Sequence, residues 1–422
     1  MKPKAIQFYF HIFIVLLTLV APLNTAAQNT DKYIAVSGII KDKQTNKRLE
    51  FVSISISGTN IGTVTNADGV FTIKVKDSLK VNEIDVSHIG YTNYKMSLKP
   101  ESSSDVVILL TPNSNVLKEV VINTTDALSL VKNAISKISL NYTSYPTKLS
   151  AFYRETIQKK KTYINISEAL IDVYKTPYKQ ELVVDRDRVK IFKGRKLLSP
   201  KPNDTLIIKL QGGPNLAVYA DIVKNHSLLF DAEMLPLYRF ELEESIFIDE
   251  RLHYVIRFVP QVTLPYALYF GKLYIDKETL AFTKAQFSLD MDNKQKATDA
   301  ILKKKPAKLQ FKPEEVSFLI DYKQRNGKSF LHYVRNEVRF KCDWTKKWIF
   351  STGYTIVSEA VITDNQQNKS ETLSGKLAFK QNESLSDSLG DFYDSYFWND
   401  YNIIEPTESL KMAVDKLKKL HQ

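Results

Sequence analysis

Cysteine is almost missing: Cys342 stands alone in 422 residues, so no intramolecular disulfide can form and stability has to come from buried cores. The same count removes a cysteine for lipid attachment near the chain start. Glycine and proline are sparse, at 13 and 15, which excludes collagen-like and low-complexity classes. The strand–GxxxxGK[ST]–helix pattern of a nucleotide loop is absent, and so is a Gly-x-Ser-x-Gly nucleophile elbow. Beyond the first thirty residues every apolar run is broken by charge within a few positions, so no later segment reads as a membrane helix. What is present fits a folded chain: apolar residues make up 43% and charged residues 25%, close to the globular average. The length predicts two or three folded units. The formal net charge of +12 is spread along the chain and permits contact with anionic partners without naming one.

The first residues set the expected compartment. Lys2 and Lys4 precede an apolar run from Phe8 to Val20, and Thr25-Ala26-Ala27 supplies the small side chains a signal peptidase needs. Residues 1–27 are therefore expected to be a signal peptide cut before Gln28, because the run is too short for a span and Pro22 and Asn24 interrupt its end. Export to the periplasm or outer membrane of a two-membrane bacterium follows as an expectation, which disfavours nucleic acid as a partner.

The fold class reads as mainly β. From Ile34 to Leu110 short apolar runs (Val36 to Ile40, Val52 to Ile56, Val70 to Val75, Ile84 to Val86, Val106 to Leu110) alternate with turn formers, the spacing of a small sandwich. Asp68-Gly69 suits a tight turn needing positive φ, with Phe71 entering the core two residues later. The order Val36-Ser37-Gly38-Ile39-Ile40-Lys41-Asp42, then Gly58-Thr59, Gly62-Thr63, Thr65, Asp68-Gly69, Phe71 and Gly90-Tyr91 resembles the carboxypeptidase-regulatory-like domain, a transthyretin-like β-sandwich. That resemblance covers about 80 residues, near the lower end of ordinary domain size. It implies an accessory module without catalytic residues of its own, found beside metallocarboxypeptidases or ahead of the plug and barrel of outer-membrane receptors. A 22-stranded barrel of ~10-residue strands does not fit in what remains. A zinc carboxypeptidase needs His-x-x-Glu, and no acid stands at that spacing after His88, His226, His253, His332 or His421. No metal and no cofactor are expected.

The expected divisions are a sandwich over 33–112, a linker over 113–124 containing Val116 to Ile122, an antiparallel β-rich domain with an opening helix over 125–383, and a C-terminal extension ending in a helix over 384–422. Leu128, Val131, Ile135 and Ile138 recur at helical spacing behind Asn123-Thr124-Thr125-Asp126. Asn326-Gly327 between Val316 to Tyr322 and Phe330 to Phe340 signals a hairpin. Strands are further expected from Leu149 onward, at Tyr163 to Tyr174, Tyr238 to Ile248, Tyr254 to Val259, Leu268 to Ile275, Phe282 to Met291 and Trp348 to Val361, with a short helix from Pro214 to Val223. The Tyr269 to Leu289 hairpin is similar to the repeated unit of periplasmic lipoprotein-carrier folds, and a plain meander explains it too. The closing stretch Phe397 to Pro406 resembles the ending of uncharacterised β-rich envelope proteins.

Among side chains able to do chemistry, the pairs Glu243-Glu244, Asp249-Glu250 and Glu314-Glu315 are expected to point to opposite faces of strands, unable to address one atom. Asp185-Arg186-Asp187-Arg188 reads as a solvated, salt-bridged strand face. Gly212-Gly213-Pro214 reads as an ordinary turn. Cys342, alternating with Phe340 and Trp344, reads as a buried thiol. Lys159-Lys160-Lys161, Lys303-Lys304-Lys305 and Lys416 with Lys418-Lys419 read as solvated turns or helix ends, with attraction to an anionic envelope surface as the functional alternative. Two function classes remain: a non-enzymatic envelope protein binding a partner protein, glycan or lipid, or an unrecognised hydrolase in the β-rich region. A cleft that gathers two carboxylates would favour the hydrolase.

Overall fold

The structure is a computed structural model that describes residues 33–113, 126–178, 187–204, 209–210, 212–343, 351–366, 373–380, 383–390, 397–398 and 401–421. The leader, nearly all of the linker, Asp185, Arg186, Trp344 and Trp348 lie outside the described residues.

Strands β1 (Tyr33–Asp42), β2 (Ser53–Ile56), β3 (Gly62–Val64), β4 (Val70–Lys76), β5 (Glu83–Ser87), β6 (Tyr94–Ser97) and β7 (Ser103–Leu110) form the sandwich. One sheet runs β4-β1-β7 and the other β3-β2-β5-β6. The two-residue period of a strand sends Val36 and Ile40, Ile54 and Ile56, Phe71, Ile73 and Val75, and Ile108 and Leu110 into one shared core. Phe71 is fully buried, worth about 1.5–3 kcal/mol of apolar transfer. Gly69 sits at φ +70 in the turn before it, where a Cβ would strain the backbone. Gly38 answers a different demand, since a Cβ there would lie 2.0 Å from the Val106 carbonyl oxygen.

The second unit is one antiparallel sheet. Its strands are β8 (Thr147–Lys159), β9 (Thr162–Lys175), β10 (Arg188–Leu198), β12 (Tyr238–Ile248), β13 (Arg251–Pro260), β14 (Tyr269–Asp276), β15 (Phe282–Leu289), β17 (Gln310–Arg325), β18 (Lys328–Asp343) and β19 (Thr352–Gln366). Short β11 (Lys209–Leu210) and β16 (Leu302–Lys304) pair apart from it. The ten strands run β10-β9-β8-β19-β18-β17-β15-β14-β13-β12, so the last strand returns to lie beside the first. The β17–β18 hairpin closes on Asn326 and Gly327 at φ 50 and 73, the two positive values a type I′ turn requires.

The two faces of this sheet are covered differently. One face packs Leu149, Ala151, Tyr153, Ile171 and Phe282 against helices α1 (Ala127–Ser136), α2 (Ile138–Asn141) and α3 (Pro214–Tyr219). The other sends Phe152, Leu170, Tyr333 and Val361 against Val64 of the sandwich and against Trp398 and Ile404. Helices α4 (Lys294–Ile301) and α5 (Glu408–His421) complete the α-helices among the described residues; α5 lays Leu410, Val414 and Leu417 on Ile166 and Leu197.

Three expectations shift. Helix α1 buries Leu130, Val131 and Ala134, while Leu128 and Ile135 are only half-buried, so its inward stripe is rotated from the expected one. Helix α3 stops at Tyr219 instead of reaching Val223, because Asp221 leaves the helical path to meet Lys175, Tyr178 and Tyr322. Asp187 is no part of a solvated face: its side chain is buried against Lys175 and Thr176. Burial raises the Asp221 carboxyl, yet Lys175 and the two phenols hold it below its ordinary value.

Candidate functional site, a cleft between sandwich and sheet

The sandwich stands on the outer face of the large sheet through polar contacts that its own strands position. The Lys323 ammonium of β17 donates to Ser87 Oγ at 2.6 Å and to Asp249 Oδ2 at 3.0 Å. Asp249 and Glu250 occupy the β12–β13 turn at φ 49 and 62, so this acid pair belongs to a turn and not to opposite faces of a strand. Ser53 Oγ lies 3.1 Å from His332 Nε2. Burial, then the nearby Lys323, pushes the His332 imidazole down to about 3, against Asp249, which leaves it neutral at physiological pH.

Residues 397–398 and 401–408 lie along the seam as a strap. Thr63 Oγ1 donates to the Ile403 carbonyl, and Asn66 Nδ2 to that of Glu405. Lys74 Nζ donates to the carbonyls of Trp398 and Tyr401, and the Lys74 backbone exchanges hydrogen bonds with the Asn402 amide. From the sheet, Arg154 donates to the Ile404 carbonyl at 2.7 Å while its Nε meets Glu168 at 2.8 Å. Burial raises the Glu168 carboxyl, but Arg154, Arg195 and the Trp398 indole together hold it below its ordinary value.

Where the strap leaves the seam open, a cleft of about 410 Å³ remains between the sandwich and strands β14 to β18. Phe51 forms one wall. It holds φ +57, a left-handed conformation costing a bulky residue roughly 1–3 kcal/mol. Its N–H donates to the Thr65 carbonyl, its ring stacks on Tyr333 with centroids 5.9 Å apart, and the Arg335 guanidinium lies 5.3 Å from its centroid. Phe270, 43% exposed, forms a second aromatic wall. The floor between them is mixed: Gln286, Ser288, Ser317, Arg335 and Glu337 bring polar groups, and Leu319, Phe287 and Phe318 bring apolar ones. Arg335 pairs with Glu337 at 3.0 Å. Glu50 stands exposed at the rim; loss of surrounding water raises its carboxyl, Arg335 opposes this, and Glu337 and Glu359 add to it. Two carboxylates, Glu50 and Glu337, therefore share one cleft.

The residues singled out by the domain pattern sit mostly behind this site. Gly58 and Thr59 form the β2–β3 turn, where Thr59 Oγ1 donates to the Ile56 carbonyl. Gly62 packs over Ile54 and beside His332. Thr65 Oγ1 donates to the Leu49 carbonyl and accepts from Val52 N–H, which shapes the loop that presents Glu50 and Phe51. Asp68 accepts from the Glu408 N–H. Gly90 N–H donates to the Phe247 carbonyl, and Tyr91 OH to Asp42. The cleft residues were not legible as a group, because Glu50 and Phe51 lie over two hundred positions from the strands facing them. Glu243 pairs with Lys272, Glu314 with Lys341 and Glu315 with Arg339, outside the cleft. Gly213 begins α3, an ordinary structural role. His226 and His253 face the backbone carbonyls of Val223 and Arg251, and among the described residues no three His, Cys, Asp or Glu side chains are grouped to hold a metal ion. Cys342 is buried, which pushes its thiol up to about 12.

Comparison with known proteins gives a family for the sandwich. Residues 36–122 match the CarboxypepD_reg-like domain. No curated protein matches the chain. Among solved structures, the chain is similar to a DUF1329 family protein from Desulfovibrio piger, at 11% identity and a TM-score of 0.26, covering 59% of this chain and 96% of that one. It is also similar to a putative outer membrane lipoprotein-sorting protein domain from Vibrio parahaemolyticus, at 10% identity and a TM-score of 0.24, covering 59% and 94%. A putative membrane-associated protein of unknown function from Bacteroides fragilis shares 10% identity over 79% of this chain and 99% of that one, with a TM-score of 0.16. Likeness this slight defines no function for this chain.

Proposed function

We propose that the chain is a non-enzymatic, exported binding protein of the bacterial envelope, and that it takes a glycan in the cleft between Phe51 and Phe270. The observation that carries this reading is the composition of the cleft: two aromatic walls over a floor that sets hydroxyl, amide and charged groups beside apolar Leu319. A sugar ring has apolar C–H faces and a hydroxyl edge, and stacks on aromatic rings while its edge finds hydrogen bonds. An acyl chain fits this cleft less well. The apolar pocket lined by Leu216, Tyr219 and Ile301 on the other side of the sheet has only about 40 Å³, against roughly 300–1,000 Å³ for a small-molecule site.

A second reading rests on Glu50 and Glu337. Two carboxylates in one cleft are what a hydrolase of glycosidic bonds uses; burial raises the Glu50 carboxyl, and Glu337 is ion-paired with Arg335. One experiment separates the readings. Titration with peptidoglycan fragments and lipopolysaccharide core oligosaccharides is expected to show binding that Phe270→Ser and Arg335→Gln each weaken, with no new reducing ends released. Absence of binding to every oligosaccharide sinks the glycan reading. Hydrolysis that disappears in Glu50→Gln replaces it with the enzyme.

A further inference from the structure

The antiparallel order brings one set of strand ends to a single pole of the large sheet. The register pairs Lys159 with Thr162 and with Tyr354, and Phe340 with Tyr354. It also pairs Gln310 with Asp343 and Tyr269 with Leu289. The β8–β9 turn, the β13–β14 loop and the β15-to-β17 connection therefore all emerge at this pole.

Two basic runs that are 144 positions apart in sequence, beginning at Lys159 and Lys303, meet there. Lys159 Nζ donates to the Asn203 carbonyl and Asp204, and Lys160 N–H to the Gly353 carbonyl. Asp204 and Cys342 both lie within electrostatic reach of Tyr354, and Lys305 within reach of Cys342. Lys160, Lys161, Lys303, Lys304, Lys305 and Lys308 are exposed. Between residues 290 and 312 seven lysines stand against three aspartates. The opposite pole mixes Asp249, Glu250 and Glu278 with Lys277 and Lys328 in its turns.

Exposed apolar side chains share the basic pole. Val262 and Tyr266 in the β13–β14 loop are 41% and 48% exposed, and Tyr219 is 45% exposed beside Ala300 and Ile301 of α4. Lysines around exposed tyrosines match the region of a bilayer where charged headgroups meet the acyl boundary: ammonium groups attract the headgroups and amphipathic rings settle between them. A nucleic-acid surface would use the charge but not the aliphatic Val262. We propose that this pole is a docking surface for an anionic lipid membrane, independent of what the cleft binds.

Co-sedimentation of the full chain with phosphatidylglycerol/phosphatidylcholine vesicles, against pure phosphatidylcholine vesicles, tests this. Binding to the anionic vesicles alone is expected, with release as salt is raised. Reversing Lys303, Lys304 and Lys305 to Glu together should weaken it about tenfold or more. Reversing Lys160 and Lys161, in a separate turn, should weaken it in the same direction, so a fold defect in one variant does not decide the matter. Lys47→Glu with Lys80→Glu, on the sandwich, should leave binding unchanged. No binding, equal binding to neutral vesicles, or sandwich reversals as damaging as the polar ones would overturn the proposal. Glycan titration reads a different surface, so failure there and failure here are distinguishable.

Discussion

Glu168 of β9 accepts the Trp398 indole N–H at 3.0 Å, across 230 positions of sequence. The same carboxylate receives Arg154 Nε at 2.8 Å and Arg195 Nε at 2.9 Å. One anion thus holds two strands of the sheet and the strap over the seam.

Removing that anion should be costly. Glu168→Gln keeps the shape but removes the countercharge of the buried Arg154 and Arg195, and breaking a buried pair this way costs about 3–5 kcal/mol. Trp398→Phe deletes the indole donor and part of the ring's packing against Phe152 and Phe397, and should cost about 1–3 kcal/mol. Urea unfolding of both variants checks the order; equal losses would mean that Glu168 holds no more than the strap.

Acid should loosen the same seam by another route. An unfolded histidine takes its proton near the ordinary 6.5, whereas His332 at the seam takes it only at about 3. The unfolded chain therefore binds more protons in that window, so this contribution is complete above pH 6.5 and is lost as pH falls from 6.5 toward 3, at about 1.4 kcal/mol per unit. His332→Gln should flatten the slope of unfolding free energy across the window. An unchanged slope would assign the acid sensitivity to other groups.

Residues 33 to 112 are expected to unfold cooperatively as an isolated fragment, since they contain both sheets and the core between them. In that fragment Phe71→Ala should cost roughly 3–5 kcal/mol. Gly69→Asn should be tolerated far better than Gly69→Val, because the β-branched residue resists positive φ. A fragment without a cooperative transition, followed by circular dichroism, would place the boundary elsewhere.

Asp221→Asn is expected to destabilise the large domain by about 3–5 kcal/mol, because Lys175 is buried between Asp221 and Asp187 and loses half of its countercharge. Asp187→Asn should act in the same direction. Thermal unfolding of the two variants, with the double variant less than additive, is the check.

How far the sequence could be read follows from where each signal is local. Strand alternation and the Asp68-Gly69 and Asn326-Gly327 turns are written within a few residues, and the mainly β class and the β17–β18 hairpin followed from them. Strand β10 was missed because Lys190, Lys193, Arg195 and Lys196 dilute its apolar alternation, and a register shift between Ile191 and Lys193 leaves Phe192 63% exposed. Asp187 looked solvated because its partners, Lys175 and Thr176, reach it only through tertiary structure. The cleft was invisible for the same reason: Phe51 gains its meaning from Tyr333 and Arg335, and no spacing rule connects them.

The strap also sets a timetable. Thr63 donates to the Ile403 carbonyl 340 residues further on, so the sandwich, whose own strands end at Leu110, can form its core while this contact is still unmade. Until the strap is in place Val64 lacks the cover of Trp398 and Ile404, and the finished seam waits on the last segment of the chain.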